Sequence, residues 1–156
     1  MKKWLYCVLI LAGLPMLGFA GFGGKDVGKL SPVQVVEIAF KDDLLQLRTD
    51  TGALGKGEDI TQAIDHLKQT APAEVFLDTA DYLLIRPGSE YDLPELYQHL
   101  RPSCYLCYVT DEVDLELAGK YLRIHEPTVT MAQYEAGERR LPYLISEEGG
   151  LKLVQP

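Results

Sequence analysis

Basic residues are scarce in this chain: 15 Lys and Arg stand against 23 Asp and Glu, for a formal net charge of −8. That shortage argues against nucleic acid or an anionic membrane surface as partner, because both are gripped by Lys and Arg patches. Histidine is sparse too, with three residues dispersed along 156, which is not the concentration a His-rich metal centre needs. Low-complexity sequence is confined to one short Gly-rich stretch, and there is no internal repeat. With 47% hydrophobic and 24% charged residues, a disordered tail is excluded. The length suits one hydrophobic core and is too short for two ordinary domains.

The longest apolar run is at the start. Met1-Lys2-Lys3 is a basic n-region, Trp4 to Phe19 is almost uninterrupted apolar sequence, and Gly18 and Ala20 form a small-residue cleavage site before Gly21. Residues 1–20 therefore read as a cleaved signal peptide or an uncleaved N-terminal anchor, and either places the body outside the cytoplasm. Of the three cysteines, Cys7 lies inside this run. Residues 21–30 (GFGGKDVGKL) form a flexible Gly-rich lead-out.

The pattern over 31–156 predicts a single α/β (α+β) domain, a mixed sheet with helices packed on it, in the order ββαβαβααββ. Pro32–Phe40 and Leu44–Thr49 alternate about a Lys41-Asp42-Asp43 turn, the signature of a hairpin. Asp59, with Gln62 three residues on, caps a helix whose Ile60, Ala63, Ile64 and Leu67 share a face. Glu74–Ile85 predicts a buried central strand. Asp92 with Glu95 caps the next helix, Cys104–Val109 forms a strand, and Asp111 opens a third helix reaching Ile124. Thr130 and Gln133 box a short helix, and Leu141–Val154 closes the domain as a second hairpin. The expected core comprises Val35, Ile38, Ile64, Leu67, Phe76, Leu84, Leu96, Leu100, Leu106, Tyr121 and Leu144.

Several strings invite an enzymatic reading. Asp50-Thr51-Gly52-Ala53 and Asp78-Thr79-Ala80 resemble aspartyl-protease loops, which need two carboxylates sharing a proton. Arg48 and Thr49 replace the apolar anchor of the first, and only 28 positions separate the two Asp residues. The preferred reading is that Asp50 sits in a Gly turn and Asp78 at a strand bend. The loop holding Gly52, Gly55 and Gly57 precedes a helix as phosphate cradles do, yet it has neither dinucleotide spacing nor a P-loop ending. Glu58 and Asp59 at the helix start would repel an anion.

Cys104-Tyr105-Leu106-Cys107 is the one pair with reactive spacing. In an exported chain it reads as a disulfide, as inert buried thiols, as a redox pair, or as half of a zinc site with His99 and His125. Tyr105, Leu106, Tyr108 and Val109 all favour strand, and a regular strand turns positions i and i+3 to opposite faces. A Cys104–Cys107 bridge would need a local bend.

The run Gly55-Lys-Gly-Glu-Asp-Ile-Thr-Gln-Ala-Ile-Asp-His-Leu67 and the following Pro72–Ile85 resemble the N-terminal domain of the Ger(x)C family, the C-subunit lipoproteins of spore germinant receptors. The opening Asp26-Val27-Gly28-Lys29-Leu30 is similar to the family's start, and the likeness extends to about residue 125. Gly21 stands where a lipoprotein would carry its lipidated Cys. The resemblance implies a non-enzymatic module of the envelope or spore, membrane-associated, with protein partners in the envelope or spore inner membrane, no cofactor, no metal and no catalytic residue to carry over. Thiol–disulfide exchange at Cys104 and Cys107 is the alternative function.

Overall fold

A computed structural model describes residues 30–90, 93–148 and 150–156. The signal or anchor segment, most of the Gly-rich lead-out, Cys7 and the cap expected at Asp92 lie outside the described residues. The expected class holds: one mixed seven-stranded sheet carries helices on both faces.

The chain opens with a short strand, β1 (Leu30–Pro32), followed by β2 (Val35–Lys41), β3 (Leu44–Thr49) and β4 (Leu54–Gly57). Asp42 and Asp43 link β2 to β3 with both φ values positive, at 55° and 61°. Such a two-residue turn follows the twist of the strands it joins, and Asp tolerates the left-handed region better than most residues. Helix α1 (Ile60–Thr70) starts at Asp59, whose carboxylate accepts the Gln62 N–H at 2.8 Å. Its buried Ile60, Ala63, Ile64 and Leu67 pack on the sheet.

The stretch expected to be one central strand is divided. β5 (Glu74–Phe76) pairs in parallel with β1 as a separate two-stranded ribbon, and a 3₁₀ turn over Leu77–Thr79 leads to β6 (Tyr82–Ile85). Only β6 is central, and all four of its residues are buried. The break follows from Thr79: its hydroxyl donates to the Phe76 carbonyl at 2.7 Å and accepts the Val33 N–H at 3.0 Å, which holds a turn where strand propensity alone would continue.

Helix α2 (Leu93–Leu96) runs on as a 3₁₀ turn to His99 and precedes β7 (Tyr105–Val109). Helix α3 (Leu115–Ile124) is capped by Asp114, not Asp111. Asp111 instead accepts from the Thr110 hydroxyl in the connecting loop. Helix α4 (Met131–Glu135) has the full Thr130–Gln133 capping box, and the hairpin β8 (Tyr143–Glu147) and β9 (Gly150–Val154) ends the domain.

Strand order is β4-β3-β2-β6-β7-β8-β9. The four middle strands, β2, β6, β7 and β8, are parallel, and each outer wing is antiparallel. One face buries Val36, Ile38, Leu47, Leu83, Ile85 and Leu106 under α1, α2 and α4. The other buries Val35, Leu84, Cys107, Val109 and Leu144 under α3 alone. Of the expected core, Phe76 and Tyr121 are half-buried and the rest are buried.

β4 lies in what the sequence presents as a loop. Its glycines answer a packing demand: a Cβ on Gly55 would collide with the Ala63 carbonyl and sit 2.8 Å from Leu67 Cβ. One on Gly57 would press into the backbone at Gln62 and Ala63. The absence of side chains lets α1 lie directly on the edge strand. These glycines are helix seats, not a phosphate cradle.

Candidate functional site

In parallel sheets, ligands collect at the carboxyl ends of the strands. The protease-like strings occupy the other end. The Asp50 carboxylate accepts the Gln34 N–H at 3.2 Å, closing the entry to β2. Asp78 is exposed within the 3₁₀ turn before β6. Asp50 has a structural task in its turn, and Asp78 is a solvent-exposed turn residue.

Cys104 and Cys107 are free and fully buried, so the bridge considered for them is not formed. Cys104 belongs to the core under α1, α2 and α4, and Cys107 to the core under α3. The strand runs regularly from Tyr105 onward, and its pleat turns the two thiols to opposite faces. Burial pushes the Cys104 thiol up to about 12, partly offset by Arg101, and raises that of Cys107 as well. A redox thiol needs the reverse, an exposed sulfur with a lowered pKa. His99 ends the 3₁₀ turn after α2, and His125 stacks on Tyr121 at 4.5 Å. Among the described residues no group of three His, Cys, Asp or Glu side chains is placed to hold a metal ion.

Two features do gather side chains. The first is a polar recess on the α3 face, at the carboxyl ends of β2 and β6, where the sheet has no helix over it. Its centre is Glu37, 0% exposed. Glu37 lies opposite Arg48 in the β2–β3 register, and Arg86 follows the last residue of β6. Arg48 Nη1 donates to Glu37 Oε2 and Arg86 Nε to Oε1, each at 2.8 Å. Arg86 also reaches the Thr110 carbonyl at 3.4 Å. Glu112, on the loop after β7, accepts from Arg48 Nη1 at a looser 3.3 Å and is 72% exposed. Lys41 and Gln46 complete a pocket of about 250 Å³. Burying one carboxylate alone would cost several kcal/mol, and two guanidiniums in direct contact offset that cost. Alternation alone marks Glu37 only as one polar strand position. Its two Arg partners, 11 and 49 residues away, are joined to it by the fold.

The second feature is the outer flank of α3. Leu117 and Ile124 are 53% and 77% exposed. With half-buried Tyr121 they fall on one stripe at i, i+4 and i+7. The stripe runs beside the free edge of β9, where the Tyr121 hydroxyl accepts the Leu153 N–H at 3.1 Å. Gln155 then ties the end of the chain back to Thr128 and to the Glu126 carbonyl. Val154 on the same hairpin is 41% exposed. No helix among the described residues is long and apolar enough to cross a membrane. Compared with family models, curated proteins and solved structures, the chain finds no match in any of the three.

Proposed function

We propose that this chain is an exported, non-enzymatic interaction module of the cell envelope or spore, similar in role to a germinant-receptor C-subunit domain, and that α3 presents its docking face to a protein partner. The observation that carries the reading is the stripe of Leu117, Tyr121 and Ile124, because large apolar side chains grouped on a helix flank mark a contact surface. The remainder of α3 is built normally. Leu115, Ala118, Gly119 and Leu122 pack inward, and a Glu116–Lys120 pair at 2.6 Å lies on the solvated side. Leu117 and Ile124 stand exposed on that surface on either side of Tyr121, which is tied to β9 through its hydroxyl.

The neighbouring β9 edge is a poorer docking site for a strand. Tyr121 already occupies the Leu153 N–H, and Lys152, paired with Glu147 at 3.3 Å, places a charge on the strand. Both devices discourage edge-to-edge pairing. The partner this face suits is a protein with a complementary apolar patch, approached side chain to side chain. The acidic chain, −8 overall, fits such a partner better than a polyanion.

The test is co-purification of the tagged full chain from sporulating cells, wild type beside Leu117→Lys/Ile124→Lys. Both positions are exposed, so the variant should keep its unfolding midpoint while losing the partner. Retention of the same partner by the folded variant would remove α3 as the docking face. Export is tested separately by adding protease to intact protoplasts, where digestion of the body is the expected result.

A further inference from the structure

We propose that the recess over Glu37 is a binding site for a small organic monocarboxylate, held by Arg48 and Arg86 and occupied in the unliganded protein by the side chain of Glu112.

The argument starts from charge. Arg48, Arg86 and Lys41 bring three positive charges to the recess, and Glu37 and Glu112 bring two negative ones. The pocket is therefore net positive by one within a chain of net charge −8. Glu37 is the buried base of the site and holds both guanidiniums in place, one on each oxygen. The arginines keep unspent donors. Arg48 uses only Nη1, for Glu37 and Glu112, and Arg86 uses Nε and Nη1. A planar fork with free N–H groups suits the two oxygens of a carboxylate, and its anchoring by Glu37 reduces the ordering cost of binding.

Glu112 supplies the second observation. It places a carboxylate on Arg48, from an exposed side chain and at 3.3 Å, well beyond the 2.8 Å of the Glu37 contacts. A ligand carboxylate arriving at the same guanidinium would displace it into solvent at little cost, because exposed ion pairs are worth about 0–1 kcal/mol. With Glu112 displaced, one added negative charge restores the net charge of plus one that the site had before, so the exchange of one carboxylate for another is electrostatically balanced. The group already resting on Arg48 is itself a carboxylate, and a ligand carboxylate reproduces its charge and planar shape, which tetrahedral phosphate and sulfate do not. The position, at the carboxyl ends of β2 and β6, is where parallel sheets usually take ligands.

The experiment titrates the full chain, in a non-ionic detergent, with sodium propionate and follows the arginine side-chain N–H resonances. Sodium chloride and inorganic phosphate at matched ionic strength serve as controls. Saturable shifts confined to Arg48 and Arg86 are expected, with a Kd on the order of 1 mM. Glu112→Gln, at an exposed position, should bind propionate about threefold to fivefold more tightly, the equivalent of one lost surface ion pair. Arg48→Lys, which keeps the charge and loses the fork, should weaken binding about tenfold. The proposal is overturned if propionate shifts these resonances no more than chloride does, if phosphate binds more tightly, or if folded Glu112→Gln binds propionate no better than wild type. It stands or falls independently of the α3 docking face.

Discussion

Cys104 and Cys107 are three positions apart in the chain and lie in different hydrophobic cores, with the sheet between them. Each thiol is held protonated by burial, Cys104 up to about 12 against an ordinary 9.0. In the unfolded chain both would ionise near the ordinary value. Below pH 9 the two states bind the same thiol protons, and stability does not depend on them. As pH rises above that value the unfolded state loses protons that the folded state keeps, so stability falls. The loss is about 1.4 kcal/mol per pH unit for each thiol. Urea unfolding from pH 8 to 10 should show this decline, and Cys104→Ala should roughly halve its slope over the same range. Alkylation of the native protein at pH 7.5 should be slow at both sulfurs. Rapid labelling of either would reopen the thiol–disulfide alternative.

Glu37 is the residue whose loss the recess tolerates least. Glu37→Gln removes the charge that two guanidiniums face while leaving the volume unchanged. Breaking a buried ion pair from one side costs about 3–5 kcal/mol. Arg48 and Arg86 retain some solvent, at 32% and 24% side-chain exposure, which places the expected loss near the lower figure of about 3 kcal/mol. Equilibrium urea denaturation measures it. A change below about 0.5 kcal/mol would mean the triad contributes nothing net to the fold.

Gly52 and Gly55 share one short loop-and-strand segment and should respond to alanine quite differently. At Gly52 φ is +83° and a Cβ would meet nothing within 4 Å, so Gly52→Ala should cost only the left-handed backbone penalty of about 1–2 kcal/mol. At Gly55 the added methyl would enter the α1 backbone at Ala63. Gly55→Ala should cost about 3 kcal/mol or more, or give no folded protein. Thermal melts of the two variants, side by side, make the comparison.

Tyr121→Phe removes the acceptor that satisfies the Leu153 N–H and leaves the ring in place. About 1 kcal/mol of stability should be lost. The variant should also self-associate more readily, since one device blunting the β9 edge is gone. Sedimentation at increasing concentration reads this directly, and an unchanged monomer would confine the effect of Tyr121 to stability.

Local chemistry made much of the fold legible. The Asp42-Asp43 turn, the Asp59 cap and the Thr130–Gln133 box are decided by neighbours a few residues apart, and each stands where expected. The misplacements share a cause. Gly55 and Gly57 read as loop because strand propensity cannot register that a helix will lie on them. Asp111 and Asp114 are both competent caps three residues apart, and the choice between them depends on how α3 seats over Val35, which no local pattern encodes. β1 and β5 are three residues each and pair only with one another, too short to show alternation. The recess was hidden for a related reason: an alternating strand shows Glu37 as polar, and burial comes only when β3 and β6 flank β2.

The ladder joining β8 to the rest of the sheet is only two residue pairs long, Tyr108 with Tyr143 and Val109 with Leu144, whereas β8 and β9 share five. With so short a seam, the C-terminal hairpin is held to the sheet largely by the burial of Leu144 and the packing of Leu151 and Leu153 on the α3-side core. Three hydrogen bonds tie it across to the region of α3: Leu153 to Tyr121, Thr128 to Gln155, and Gln155 to the Glu126 carbonyl. Whatever grips the outer flank of α3 therefore sits beside the bond that joins this helix to β9. Docking on that flank would bear on the last two strands of the sheet as well as on the helix.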